Sequence, residues 1–205
     1  DVAVIGLATP DTKEKAHPKY TEGISFVDFM DAEELAIAQS TIDMAREYAD
    51  FVIVLGHIGA VADGSSGLIS DYLCENLKGI DLFVDGHSHT VYTEGKKVGD
   101  TLIVSTGQYL NNVGLVEIHV ENGAASITGA MLIPAADVIN PAESALAAAY
   151  GITSIADDAE ISAYVAEKTA ELDAIYSVVV ATIPEDLDGE RASVRTKKTN
   201  LTKLI

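Results

Sequence analysis

DFVIVLGHIGAVADGSSGLISDYLCENLKGIDLFVDGHSHT, residues Asp50–Thr90, holds two apolar runs, each broken by a histidine, with a helical pattern between them. Asp50–Leu55 is a continuous apolar run, as expected of a strand covered on both faces, and it stops abruptly at Gly56-His57. Ser65–Leu77 predicts a helix, with Ser65 or Ser66 near its start and Gly79 just past its end. Ile80–Val84 predicts another buried strand, which runs out at Asp85-Gly86-His87-Ser88-His89. Two strands thus end in Gly-His, and in open α/β sheets the carboxyl ends of strands are where ligands bind.

Before this stretch, Asp1–Leu7 reads as a buried strand that stops at Thr9-Pro10, and a polar loop follows through Lys19. Ile24–Phe29 is expected as a short strand or extended segment. Asp31–Tyr48 has apolar residues at helical spacing, a cap at Asp31, and acids in the first turn that suit the helix dipole. On the other side, Thr101–Ser105 and Val113–Val120 predict strands, and Asn122-Gly123 is a hairpin turn leading into Ser126–Ile133. Pro141–Ala149 predicts a helix broken by Gly151, Asp157–Ile175 a long helix, and Ser177–Ile183 a strand that opens a new context. Pro184–Glu190 reads as a loop near a domain boundary. The alternation of strands and helices, followed by a run of strands, predicts a layered α/β sandwich with an antiparallel margin.

The composition narrows the function. The 205 residues are 48% apolar, enough for a buried core, and no apolar run approaches the roughly 18 residues of a membrane helix. Thirteen basic against 32 acidic residues give a formal charge of -19, which repels polymeric nucleic acid and anionic membrane surfaces. A small phosphorylated substrate is still compatible if metal cations supply local positive charge. The single Cys74 allows no internal disulfide and is read as a small core residue.

His57, His87 and His89 carry the chemistry. Residues two apart on an extended strand point to the same side, so His-x-His can offer two imidazoles to one small volume. Neutral imidazole is a common ligand for zinc and related ions. The glycine before each motif is expected to leave room for the ions.

These two segments, DFVIVLGHIG at Asp50–Gly59 and GIDLFVDGHSHT at Gly79–Thr90, resemble the two C-terminal motifs of the calcineurin-like metallophosphoesterases. More narrowly, they are similar to the 5′-nucleotidase, 2′,3′-cyclic phosphodiesterase and UDP-sugar hydrolase family. The resemblance extends through IGLATP at Ile5–Pro10 and TLIVSTGQYLNNVGLVEIHV at Thr101–Val120, and returns at VRTKKTNLTKLI, Val194–Ile205. It implies an α/β/β/α sandwich, present in part: residues 1–140 as the C-terminal half of the metallophosphoesterase domain, 141–176 as linker helices, and 177–205 as the start of a second, nucleotide-binding α/β domain. It also implies two divalent ions, zinc, manganese or similar, in the intact protein, with His57 and His87 on one ion and His89 on the other. Arg195 matches an arginine that contacts the nucleotide. The expected activity is hydrolysis of nucleotides or related phosphoesters by metal-activated water, in an exported protein.

The family's Asp-x-His motif, bridging aspartate and Asn-His-Asp segment find no match in the chain, and Asp63, Asp81 and Asp85 do not correspond to those ligands. They are expected as a turn residue, a helix–strand junction and a solvated acid. The chain is therefore expected to be a piece of a longer protein, with its catalytic residues N-terminal to Asp1, a partial or empty metal site, and negligible turnover by itself. Two alternatives share the resemblance: a thiosulfohydrolase, and a non-catalytic module that keeps the fold. A serine hydrolase elbow and a phosphate-binding loop are absent around Ser88, Ser105 and Gly64–Gly67. His17 and His119 are read as structural or exposed.

Overall fold

Apolar, β-branched runs that can be covered on both faces make parallel strands, and helices return the chain between them. A computed structural model describes residues 1–62 and 64–204. In chain order its elements begin with β1 (Val2–Ala8), two single-turn helices α1 (Thr12–Lys15) and α2 (Pro18–Thr21), and α3 (Ala32–Arg46). Strand β2 (Phe51–His57), helix α4 (Ser70–Asn76) and β3 (Leu82–Val84) follow, then β4 (Lys96–Val98) and β5 (Thr101–Val104). The long hairpin β6 (Asn112–Glu121) and β7 (Ala124–Pro134) leads to α5 (Ala135–Ile139), a 3-10 turn (Pro141–Glu143) and α6 (Ala145–Ala149). Helices α7 (Ala159–Tyr176), α8 (Arg191–Thr196) and α9 (Asn200–Leu204) complete the described chain.

Five strands form one sheet in the order β1-β2-β3-β5-β4, with β1, β2, β3 and β5 parallel and β4 antiparallel at the margin. Strands β6 and β7 form a separate antiparallel pair, joined by Asn122 and Gly123 at φ 52° and 81°. Two successive positive φ values are what a tight hairpin turn needs. Helix α3 packs on β1 and β2, and its Asp31 cap accepts from the backbone N–H of Glu33 and Glu34. Phe29, Ile42, Val54, Ile58, Leu68, Leu73, Cys74, Leu77, Ile80, Phe83 and Ile103 form one core cluster around β2, β3 and β5. Burial, with Asp71 and Asp85 nearby, pushes the Cys74 thiol up to about 12, consistent with a core role. Two compact units are present, Asp1–Ile155 and Ala156–Ile205. The division falls inside the span read as linker helices.

Several expectations are corrected. Helix α4 starts at Ser70 rather than Ser65, because the Ser66 N–H and Oγ are engaged by the Asp11 carboxylate at 3.0 and 2.8 Å and hold the segment out of helix. Strand β1 is an edge strand, not a buried one: Val2 and Val4 are more than half exposed. Ile24–Phe29 forms no strand, although Phe29 is buried. Ser177–Ile183 is exposed and irregular, and the second unit's described residues hold helices and no strand. Strand β4, rich in lysine, adds an antiparallel strand that has no apolar pattern in the sequence.

Candidate metal centre

The parallel strands β1, β2, β3 and β5 present their carboxyl ends along one margin of the sheet. Register pairs Ala8 of β1 with His57 of β2, and the Thr9 N–H donates to the His57 carbonyl at 3.0 Å. Beyond the end of β3 the Asp85 N–H donates to the Val104 carbonyl at 2.8 Å, and the chain then turns through Gly86 to His87. These backbone bonds carry the two histidine loops to neighbouring positions.

His57 and His87 meet there. His87 Nδ1 lies 3.1 Å from His57 Nε2, with ring centroids 4.9 Å apart and the planes inclined at 63°. Two bonds of about 2.0–2.1 Å to one tetrahedral ion would separate their nitrogens by about 3.3–3.4 Å, so the pair fits two ligands of one divalent ion. With no ion between them, the same nitrogens can share one proton as a hydrogen bond. Two imidazoles are half of a tetrahedral shell; among the described residues no group of three or more His, Cys, Asp or Glu side chains is placed to hold an ion.

His89 is exposed and stands elsewhere, with its ring 6.4 Å from that of Tyr109. The extended His-x-His geometry expected from the sequence is not formed. Strand β3 ends at Val84, and His87 and His89 adopt φ of 77° and 55°, so strand alternation does not place them. Positive φ at non-glycine residues is costly and persists where surrounding structure enforces it. Gly56 plays another part than the one expected: a Cβ there would lie 2.2 Å from Phe83 Cε1, so this glycine makes room for a core ring.

Asp85 overturns its reading as a solvated acid. It is 9% exposed, and its Oδ1 accepts from the backbone N–H of Ile58, Gly59 and Gly86 at 3.1, 3.0 and 2.8 Å. Asp81 sits at a junction as expected, accepting from the Val52 N–H at 2.7 Å and pairing with Arg46. Asp63 lies outside the described residues. Asp11 went unnoticed in the sequence, yet its buried carboxyl draws Ser66 and Thr9 together. Burial works to raise its pKa, but the hydrogen bonds from Ser66 and Thr9 outweigh it and hold the group below the ordinary carboxylate range. A lone Asp before Gly-His, or after Thr-Pro, carries no pattern that tells a buried acceptor from an exposed acid.

Arg195 is exposed on α8 of the second unit. Ser105 is buried and its Oγ donates to the Thr90 carbonyl at 2.7 Å, a structural bond. His17 caps α2, its Nδ1 accepting from the Lys19 N–H at 3.2 Å, and His119 is exposed on β6. No helix among the described residues is long and apolar enough to cross a membrane.

No protein-family model matches the chain. It is 29% identical over 209 residues to the trifunctional nucleotide phosphoesterase protein YfkN of Bacillus subtilis, covering all of this chain and 12% of that protein. Among solved structures, the sulfate thiohydrolase SoxB of Thermus thermophilus aligns at 30% identity and TM-score 0.53, over 65% of this chain and 22% of that one. A Staphylococcus aureus structure named as a 5′-nucleotidase aligns at 25% identity and TM-score 0.54, over 65% and 27%. The chain therefore spans well under half of the relatives it matches. With two histidine loops at the carboxyl ends of a mostly parallel sheet, the chain is similar to 5′-nucleotidase-type metallophosphoesterases.

Proposed function

We propose that His57 and His87 ligate one divalent ion, and His89 a second, in a two-metal phosphoesterase that hydrolyses nucleotides or related small phosphoesters. The observation that carries this reading is the 3.1 Å approach of His87 Nδ1 to His57 Nε2 at the ends of adjacent parallel strands. When bound, such ions neutralise charge on the phosphoryl oxygens and lower the pKa of water. The chain's own part is to hold two imidazole nitrogens toward one point and to keep the loops that bear them from drifting apart. A formal charge of -19 would repel a phosphate unless cations intervene, which fits a metal-dependent site. Arg195 as a nucleotide contact, and an exported location, belong to the same proposal and rest on the family resemblance.

The test is hydrolysis of 5′-AMP by the full-length gene product with manganese or zinc added. Activity that falls by at least about 100-fold in His87→Ala supports the reading, since removing a ligand removes the charge that stabilises the transition state. A metal-supplemented wild type without phosphoesterase activity contradicts it. One second reading has an observation in its favour: the 30% identity to SoxB favours thiosulfohydrolase chemistry on a sulfur-bearing substrate. Parallel assays on 5′-AMP and on a thiosulfonate ester separate the two.

A further inference from the structure

The loops that carry His57 and His87 are fastened together by side chains belonging to only one of them. Asp85 Oδ1 collects three backbone N–H groups, two from the far loop (Ile58, Gly59) and one from its own (Gly86); Asp85 Oδ2 adds a longer bond from Gly59 at 3.2 Å. The next amide of the far loop, Ala60 N–H, donates to Ser88 Oγ at 2.9 Å, and Ser88 Oγ is 2.8 Å from Thr90 Oγ1. Three successive amides after His57 are thus received by the residues on either side of Gly86-His87. Close approach requires Gly59, at φ 98°: a Cβ there would lie 3.2 Å from Ser88 Cβ and 3.3 Å from His87 Cδ2.

His57 immediately precedes Ile58, and His87 lies two residues after Asp85, so the clasp brackets both rings at a distance of one or two residues. A carboxylate accepting several N–H groups has a fixed place, because each bond constrains a different direction. The positive φ of His87 needs such enforcement to persist. Taking His57 and His87 as a metal site, we infer that Asp85, assisted by Ser88, is a positioning residue that sets the separation of His57 Nε2 and His87 Nδ1 and thereby the metal affinity of the pair.

The experiment uses the full-length gene product as wild type, Asp85→Ala, Asp85→Asn, Ser88→Ala, and the core variant Leu73→Ala. Zinc affinity is measured by competition with a chelator, and the visible spectrum of the cobalt-loaded protein reports coordination geometry. Thermal midpoints of the metal-free proteins report stability. Asp85→Ala is expected to weaken zinc binding roughly 10- to 100-fold, as loss of groups that orient metal ligands does, and to alter the cobalt spectrum. Asp85→Asn should retain more of the affinity than Asp85→Ala, because its carbonyl oxygen can take the place of Oδ1, while its NH2 cannot accept the Gly59 bond made at Oδ2. Ser88→Ala should fall between Asp85→Ala and wild type. Leu73→Ala should lower the thermal midpoint and leave affinity and spectrum unchanged.

If wild type binds zinc and Asp85→Ala binds it equally well, the inference is overturned while the metal site stands. It is overturned equally if Leu73→Ala loses affinity in step with Asp85→Ala, since the loss would then track stability alone. If wild type takes up no zinc, the metal site itself is wrong.

Discussion

Gly56 precedes His57, and the space left by its missing side chain is filled by the Phe83 ring from the neighbouring strand. Phe83 is fully buried in the core, so a methyl group at Gly56 has nowhere to go without moving either the ring or β2. Gly56→Ala is accordingly expected to destabilise the fold by about 1–3 kcal/mol, the usual cost of overpacking, seen as a lower denaturant midpoint at unchanged slope. The nearness of His57 and His87 was legible from their positions at strand ends, whereas His89, expected beside them, stands apart near Tyr109. The backbone at His87 and His89 was not legible. Positive φ is uncommon at residues other than glycine, and nothing in Asp-Gly-His-Ser-His announces that two histidines adopt it. Asp85 was misread for a related reason, since its burial depends on a loop some 26 residues away in sequence that donates to it.

Among the elements, strands with long apolar runs and the helix with a clear cap were readable, because periodicity and capping are local properties. Helix α3 shows its cap at Asp31 and helix α7 its cap at Asp158, where the carboxylate accepts from the Ile161 N–H at 2.9 Å. The start of α4 was not readable, because Asp11 reaches across 55 residues to take the Ser66 N–H. Strand β4 is short and lysine-bearing, which suits a margin but gives no hydrophobic pattern. The end of α3 is tied to the sheet by one side chain: Arg46 donates to the carbonyls of Gly79 and Asp50, each at 2.9 Å, and pairs with Asp81, which accepts from the Val52 N–H. The ion pair is partly exposed and contributes little by itself. The carbonyl bonds and the Asp81 left without its partner make Arg46→Ala cost about 1–2 kcal/mol, measured by urea denaturation. A fully neutral outcome would mean that water replaces the guanidinium at this junction.

Across the whole molecule, a mostly parallel five-stranded sheet gathers its strand ends on one side, and the histidine loops with the Asp11 and Asp85 clasps lie there. The alternation of strands and helices between Asp1 and Val104 made this arrangement predictable, and α5, α6 and the turn between them stay with the first unit. Val2 and Val4 stand more than half exposed on β1, a departure from the buried strand that its composition suggested. Apolar content tells that a strand can be covered, not that it is.

The proposed site depends on His57 and His87 binding one ion together. Zinc titration of the full-length gene product carrying ¹⁵N-labelled histidine, with the ring nitrogens followed by NMR, examines that pairing atom by atom. His57 Nε2 and His87 Nδ1 are expected to shift together and saturate at the same zinc equivalent, each as an unprotonated ligand. A titration in which one of these nitrogens keeps its proton and the pair remains a hydrogen bond at saturating zinc would contradict the shared ion.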